Sequence, residues 1–155
     1  MVCLTFLLLG CTNSVAEELK SYMVELEYFA ALEEEVLLEY ESVTGHQYVN
    51  DLITYQHLKD VVIPMYHDFI GEIESIVIKS KEIREVHEIY IDGSNKQLNA
   101  IISLLGAIEA QDYTLVAKGN DMLAEARTVM RTFQMELQDL LEEYNVEWSI
   151  EPHYY

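Results

Sequence analysis

The sequence contains few of the residues that interrupt helices. Only six of its 155 residues are glycine and two are proline, while half of the chain is hydrophobic. A sheet of many short strands needs frequent turn residues, which are missing here. Abundant glutamate, leucine, alanine and isoleucine favour helices instead. The composition therefore predicts one all-α domain of long helices with a single core.

Basic residues are also scarce. Nine Lys and Arg residues stand against 28 Asp and Glu residues, a formal net charge of −19. Such a surface repels nucleic-acid phosphates and anionic lipid headgroups, so we expect no nucleic-acid partner. Residues 13–44 hold nine Glu and one base, Lys20, so nine negative charges and one positive charge leave −8. This segment is either a well-solvated face or a surface that attracts a basic protein or peptide partner.

The chain has no apolar run long enough to cross a membrane, because a spanning helix needs about 20 residues. An apolar run in residues 1–9 is followed by the small residue Gly10 and then Cys11. Leu8-Leu9-Gly10-Cys11 resembles the lipobox of bacterial lipoproteins. The resemblance implies that residues 1–10 are a signal peptide and that Cys11 is lipidated.

Lipidation would leave no free thiol. Cys3 would be removed with the signal, and the sulfur of Cys11 would carry the lipid. Two or more acyl chains hold a protein stably on a membrane. The basic start of a signal peptide is missing, since no Lys or Arg precedes Lys20. The alternative interpretation of the apolar run is a short buried strand or the first turn of a core helix.

Apolar periodicity predicts two helices in the first half of the chain. One apolar stripe covers residues 15–43 and ends before Gly45, which suits the left-handed end of a helix. The next helix opens near Asn50, whose side chain can cap free amides, and continues to residue 76. Pro64 lies inside it, and we expect a kink there because the stripe keeps its phase.

Two more helices are predicted in the second half. The third runs from a capping Ser80 to Ile108, with Gly93 as a point where two helices can approach closely. The fourth begins after Asp112 and ends at Asn145. Helices of about 30 residues are roughly 45 Å long, and short connections make neighbours antiparallel.

The pattern predicts an antiparallel up-down four-helix bundle. A spectrin-like three-helix bundle with an extra N-terminal helix is the alternative. In either fold, residues 11–145 form the helical domain and residues 146–155 form a C-terminal tail without periodicity. The run Glu33-Glu34-Glu35 is interpreted as part of a solvated face.

No metal site is indicated by local spacing. Carboxylate-bridged metal sites in helical bundles use Glu-x-x-His motifs. The residues three positions before the five histidines are not carboxylates: they are Val43, Thr54, Pro64, Arg84 and Ile150. No two histidines are four residues apart, so a zinc signature is missing as well. A metal-dependent enzyme would need a site assembled from distant residues.

Motifs for catalysis and for cofactors are missing too. The sequence has no Gly-x-Ser-x-Gly, no phosphate-binding loop and no dinucleotide fingerprint. His57, His67 and His87 lie beside the apolar stripes, where we expect boundary histidines bonded to the backbone or to tyrosine. We therefore expect a protein that is not an enzyme and that uses no cofactor.

A ligand groove is the second hypothesis. The chain has eleven tyrosines and six methionines. Several of these tyrosines fall near the stripes, where their rings would complete the core. A groove lined by Tyr and Met and bordered by Tyr66, His87 and Tyr90 would bind a cationic or apolar small ligand.

Residues 87–95 and the segment from Phe133 to Asn145 also resemble parts of small helical lipoproteins of Gram-positive bacteria, mostly of unknown function. The resemblance covers the last two helices. It implies a bundle on the extracytoplasmic face of the cell membrane, anchored through Cys11, and it brings no catalytic residues. The leading hypothesis is thus a membrane-anchored, envelope-associated interaction module.

Overall fold

Four long helices make up most of the part of the chain that is described. The computed structural model describes residues 8–148, with side chains from Ser14 onward. The helices are α1 (Leu8–Glu41), α2 (residues 51–75), α3 (Lys81–Ala110) and α4 (Tyr113–Glu143). A short 3-10 turn, Gly45–Gln47, lies between α1 and α2, and residues 8–148 contain no strand. The predicted all-α bundle is confirmed.

Successive helices run in opposite directions. Near the start of α2, the Thr54 hydroxyl donates to the carbonyl oxygen of Val43, just beyond α1, at 2.8 Å. At the other end, the Lys79 amide after α2 donates to Glu18 near the start of α1 at 2.6 Å. The helix α1 also supplies core residues, so it is not the detached extra helix of the spectrin-like alternative.

Most of the predicted helix ends are confirmed. Asn50 accepts a hydrogen bond from the Ile53 amide at 3.0 Å and caps α2, and Asp112 caps α4. Asn145 (φ 53°) takes up the left-handed conformation just after α4, as expected at a helix end. Gly45 is left-handed as well (φ 55°), but α1 already ends at Glu41, so Gly45 begins the 3-10 turn and does not itself end the helix. Ser80 stands at the cap position of α3, but its own side chain makes no capping bond.

Glu18 binds the two residues that come directly before α3. Its carboxylate accepts hydrogen bonds from the amides of Lys79 and Ser80 and from the Ser80 hydroxyl. Burial opposes ionisation here, but these hydrogen bonds lower the pKa of Glu18 below its ordinary value. A carboxylate at a helix N-terminus satisfies free amides and complements the helix dipole. Glu18 therefore joins α1 to the start of α3.

Pro64 does not end α2, as predicted. The helix is α-helical over Asp51–His57 and Ile63–Ser75 and π-helical between them, over Leu58–Val62. The Ile63 amide donates to the Leu58 carbonyl, five residues earlier. Proline lacks an amide proton and its ring crowds the preceding turn, so a wider turn before it relieves that contact.

Glycine allows α3 and α4 to approach closely, as predicted at Gly93. A Cβ atom at Gly93 would clash with the Met130 side chain, and one at Gly119 would lie 2.5 Å from Leu104 Cδ2. A side chain at either glycine would force its neighbour, Met130 or Leu104, to move. Apolar side chains from all four helices fill the remaining interior, among them Leu19, Phe29, Val62, Ile73, Ile83, Ile101, Phe133 and Leu137.

Candidate functional site

Cys11 lies in the first turns of α1, whose backbone is helical from Leu8. The helix thus begins earlier than the predicted stripe at Val15. Residues 1–7 and the Cys11 side chain lie outside the described part, so lipidation stays a prediction. No helix in residues 8–148 is long and apolar enough to cross a bilayer.

His87 is buried where three helices meet. Its Nε2 lies 2.8 Å from the carbonyl oxygen of Ile73, and its Nδ1 lies 3.0 Å from the Tyr22 hydroxyl. A carbonyl oxygen only accepts, so Nε2 carries the proton and the Tyr22 hydroxyl donates to Nδ1. Ile73 is in the last turn of α2, where carbonyl groups have no partner within the helix. The His87 ring therefore joins α1, α2 and α3.

The surroundings of His87 favour its neutral form. Burial lowers the pKa of His87, although the bond to Ile73 and the charge of Glu88 act in the opposite direction. Burial also raises the pKa of Tyr22. A neutral imidazole that already uses both nitrogens has no free atom for proton transfer to a ligand. His87 thus fits the predicted role of a histidine bonded to backbone and tyrosine.

Glu33 is a buried carboxyl group, so its interpretation as part of a solvated face is wrong. Its side chain is 1% exposed, and its Oε2 accepts a hydrogen bond from the Tyr90 hydroxyl at 3.0 Å. The Phe133 ring stacks on the Tyr90 ring with centroids 4.7 Å apart. A buried carboxyl group costs free energy unless it is hydrogen-bonded, and Tyr90 provides such a bond.

The three predicted ligand-binding residues do come together. The ring centroids of His87 and Tyr90 are 6.3 Å apart, and Phe69 lies between Tyr90 and Tyr66 at 6.2 and 5.6 Å. The Tyr66 hydroxyl donates to Gln97. Of the pockets described among residues 14–148, none is lined by these three residues. Their role in ligand binding stays a prediction, without a described cavity beside them.

A groove opens elsewhere, between the second half of α1 and the helices α3 and α4. Its volume is about 310 Å³. The lining residues are mostly apolar, with Arg127 and two glutamates at the rim: Ala30, Glu34, Leu37, Leu38, Tyr40, Glu41, Gln97, Ile101, Leu123 and Arg127. Burial raises the pKa of Tyr40. Apolar walls with a few polar groups are typical of small-ligand sites.

The other described histidines, His46, His57 and His67, are exposed or partly exposed. His57 Nε2 is 2.8 Å from Glu39 Oε2, which joins α2 to α1. His67 is exposed on α2. Among the described residues, no three His, Cys, Asp or Glu side chains are grouped so that they could hold a metal ion.

An apolar surface covers the end of the bundle where α1 is joined to α2 and α3 is joined to α4. We call it the tip surface, and it consists of Tyr48, Val49, Leu52, Ile53, Tyr113 and Leu115, all exposed. Sequence periodicity did not identify it, because these residues lie in connections and in first helical turns. Large apolar groups clustered outside the core were the available signal.

Comparisons with known proteins find no matching family model, no matching curated protein and no matching solved structure. Function is therefore inferred from the residues of this chain alone.

Proposed function

We propose that this protein is a non-enzymatic lipoprotein, tethered through Cys11 to the extracytoplasmic face of the cell membrane, whose helical bundle is an interaction module. The observation that carries the proposal is Leu8-Leu9-Gly10-Cys11 after an apolar run. The acidic composition agrees with it, because a strongly charged exported domain stays soluble and is repelled from anionic lipids.

The geometry is compatible with a tether at Cys11. Removal of residues 1–10 would take three residues from the 34 of α1 and leave 31, which correspond to about 46 Å at 1.5 Å per residue. An anchor near the start of α1 would therefore leave the other end of the bundle remote from the lipids. A partner in the envelope would meet that end first.

Substitution of the lipidated cysteine tests the proposal. Cys11→Ser removes the sulfur that would carry the lipid, so we expect the protein to leave the membrane fraction. Cys3→Ser is the matched control, because it lies in the predicted signal and should not change membrane retention. Mass spectrometry of the wild type should find residues 1–10 removed and a diacylglyceryl group on Cys11. Wild-type protein with an intact leader and a bare thiol would refute the proposal.

A second candidate function is binding of an apolar small ligand, and the groove beside Tyr40 favours it. The fluorescent probe 1-anilinonaphthalene-8-sulfonate has an apolar body for the leucine walls and a sulfonate for Arg127. We expect its fluorescence to rise with wild-type protein and not with Leu37→Trp, which fills the groove. Val24→Trp is the control, since Val24 is exposed on α1 and does not line the groove. Equal fluorescence with both variants would exclude the groove.

A further inference from the structure

The tip surface exposes apolar side chains that a folded protein ordinarily buries. Tyr113 is 73% exposed, Val49 is 67% exposed and Leu52 is 65% exposed. Single exposed apolar residues are common, whereas clusters of them mark interaction sites. Tyrosine is also enriched in the centres of protein interfaces.

The Asp51 carboxylate lies between the two halves of the tip surface. The Tyr48 hydroxyl donates to Asp51 Oδ1 at 2.7 Å, and the Tyr113 hydroxyl lies 3.5 Å from Asp51 Oδ2. The bond with Asp51 raises the pKa of Tyr48, so its hydroxyl stays a neutral donor. The Tyr48 ring is thus oriented before any partner arrives, which lowers the entropy cost of binding.

The charge around the tip surface is negative. No Lys or Arg occurs between Lys20 and Lys59. In residues 41–53 and 109–121 there are five acids and one base, so five negative charges and one positive charge leave −4: Glu41, Asp51, Glu109, Asp112 and Asp121 against Lys118. A partner that covers the apolar side chains must also tolerate this charge, and a basic one is attracted by it.

The same charge argues against other occupants. A second copy placed tip to tip would bring −4 against −4, and anionic lipids or nucleic acids would be repelled in the same way.

We propose that the tip surface is the docking site for a protein partner, through a basic segment of that partner which also carries apolar side chains. The apolar side chains would cover Val49, Leu52 and Tyr113, and the basic ones would lie against the surrounding carboxylates. The proposal rests on the proposed function as an interaction module, and it names the surface and the chemistry of the partner.

Two synthetic peptides of 14 residues test this proposal with the full-length Cys11→Ser chain. One is an amphipathic helix of lysine and leucine, and the other has glutamate in place of every lysine. Chemical-shift mapping by NMR should show changes at residues 48–53 and 113–115 with the lysine peptide and none with the glutamate peptide. Shifts spread evenly over the acidic face of α1 would overturn the proposal, since they indicate charge attraction without a site.

Paired variants then test the apolar part. We expect Val49→Ser combined with Leu52→Ser to weaken binding of the lysine peptide at least tenfold, at unchanged charge. Val77→Ser is the matched control, because Val77 is 85% exposed in the connection between α2 and α3, at the opposite end. Circular dichroism checks that each variant is folded. Equal affinity of the double variant and the control overturns the proposal.

Two results distinguish this proposal from a second copy as the occupant and from the proposed tether at Cys11. Concentration-dependent dimerisation of the chain alone, with shifts at the tip surface, would overturn it in favour of a second copy. The chain used here carries no lipid, so a failed anchor leaves the peptide result unaffected. Conversely, lipidation at Cys11 with no peptide binding would leave the tether intact and remove the docking site.

Discussion

Proteins usually bury apolar groups and expose polar ones. The interior of this bundle, which we call the middle, contains buried polar groups, whereas the tip surface exposes apolar ones. In the middle, His87 and Glu33 are polar groups that are 4% and 1% exposed. At the tip, Leu52 and Val49 are apolar groups that are mostly exposed. The buried polar groups have hydrogen-bond partners inside the protein, Tyr22 and Ile73 for His87 and Tyr90 for Glu33.

This difference separates fold from function. Buried polar groups whose bonds are made within the chain fix which helices are neighbours, because a different arrangement would leave them without partners. Exposed apolar groups contribute little to stability where they are. We therefore expect the middle to determine the fold and the tip surface to determine binding.

The largest contrast is expected between His87→Ala and Leu52→Ser. Truncation of His87 leaves a cavity and leaves the Tyr22 hydroxyl and the Ile73 carbonyl without their partner. We expect a loss of about 3 to 4 kcal/mol in the free energy of unfolding. Leu52→Ser should change it by less than about 0.5 kcal/mol. Urea denaturation measures both, and similar losses for the two variants would contradict the division between middle and tip.

Substitution of two glycines compares a position that is packed against a neighbouring helix, Gly119, with a position that faces open space, Gly106. A Cβ at Gly119 would lie 2.5 Å from Leu104 Cδ2, while a Cβ at Gly106 would meet nothing within 4 Å. We expect Gly119→Ala to destabilise by about 1 to 2 kcal/mol through overpacking, even after the gain in helix propensity. Gly106→Ala should stabilise by about 0.5 to 1 kcal/mol. Thermal unfolding measures the stability of both variants. A gain in stability in both would show that α3 and α4 are not tightly packed at Gly119.

At the tip, the polar side chain of Asn50 stabilises the fold, whereas we expect the exposed apolar side chains to contribute little to stability. Asn50 caps α2 through the Ile53 amide, so Asn50→Ala should cost about 1 kcal/mol, whereas Asn50→Ser keeps an acceptor and should cost little. Urea denaturation again gives the values. We expect neither variant to weaken peptide binding, because neither removes an apolar contact. If Asn50→Ala lost peptide binding but no stability, Asn50 would belong to the binding surface and would not stabilise the fold.

The helices and most of their ends were predictable because the signals are local. Apolar spacing marks the buried stripe of each helix, and capping by Asn50 or a left-handed Asn145 depends on a few neighbouring residues. Pro64 was also interpreted correctly as internal, although the π turn before it was not foreseen. Proline disfavours a regular turn before it, but it does not by itself determine which irregular turn forms.

Glu33 was missed although its position was informative. It lies four residues after Phe29 and three before Val36, so helical periodicity places it on the buried stripe. Its charge and its two glutamate neighbours favoured a solvated face instead. Burial was decided by Tyr90, 57 residues further along the chain, and a partner at that distance is not visible in sequence spacing.

The tip surface was missed for the opposite reason. Asp51 and Tyr113 are 62 residues apart and meet only because two connections lie at the same end of an antiparallel bundle. Taken alone, each of these apolar residues is an ordinary residue of a connection or of a first helical turn. Only the fold shows that they share one surface, so the interaction site depends on topology and the helices do not.

The smallest effect is expected in the pH dependence of stability, since protonation changes one group while its side chain stays in place. Burial lowers the pKa of His87, so below the unfolded value of about 6.5 the unfolded chain takes up a proton that the folded protein does not. The free energy of unfolding should therefore fall as the pH drops below that value. Glu18, whose pKa is also lowered, contributes only below its ordinary value of 4.5.

His87→Gln isolates this contribution, because glutamine cannot titrate. Tyr22, Tyr90 and Glu88 are titratable neighbours of His87, and all three remain in the variant. We expect urea unfolding between pH 7.5 and pH 5 to show a smaller loss of stability for His87→Gln than for the wild type, whatever the constant offset between them. Parallel curves would mean that His87 is as accessible to protons in the folded protein as in the unfolded chain. The middle of the bundle would then be open to solvent, and its contrast with the tip would disappear.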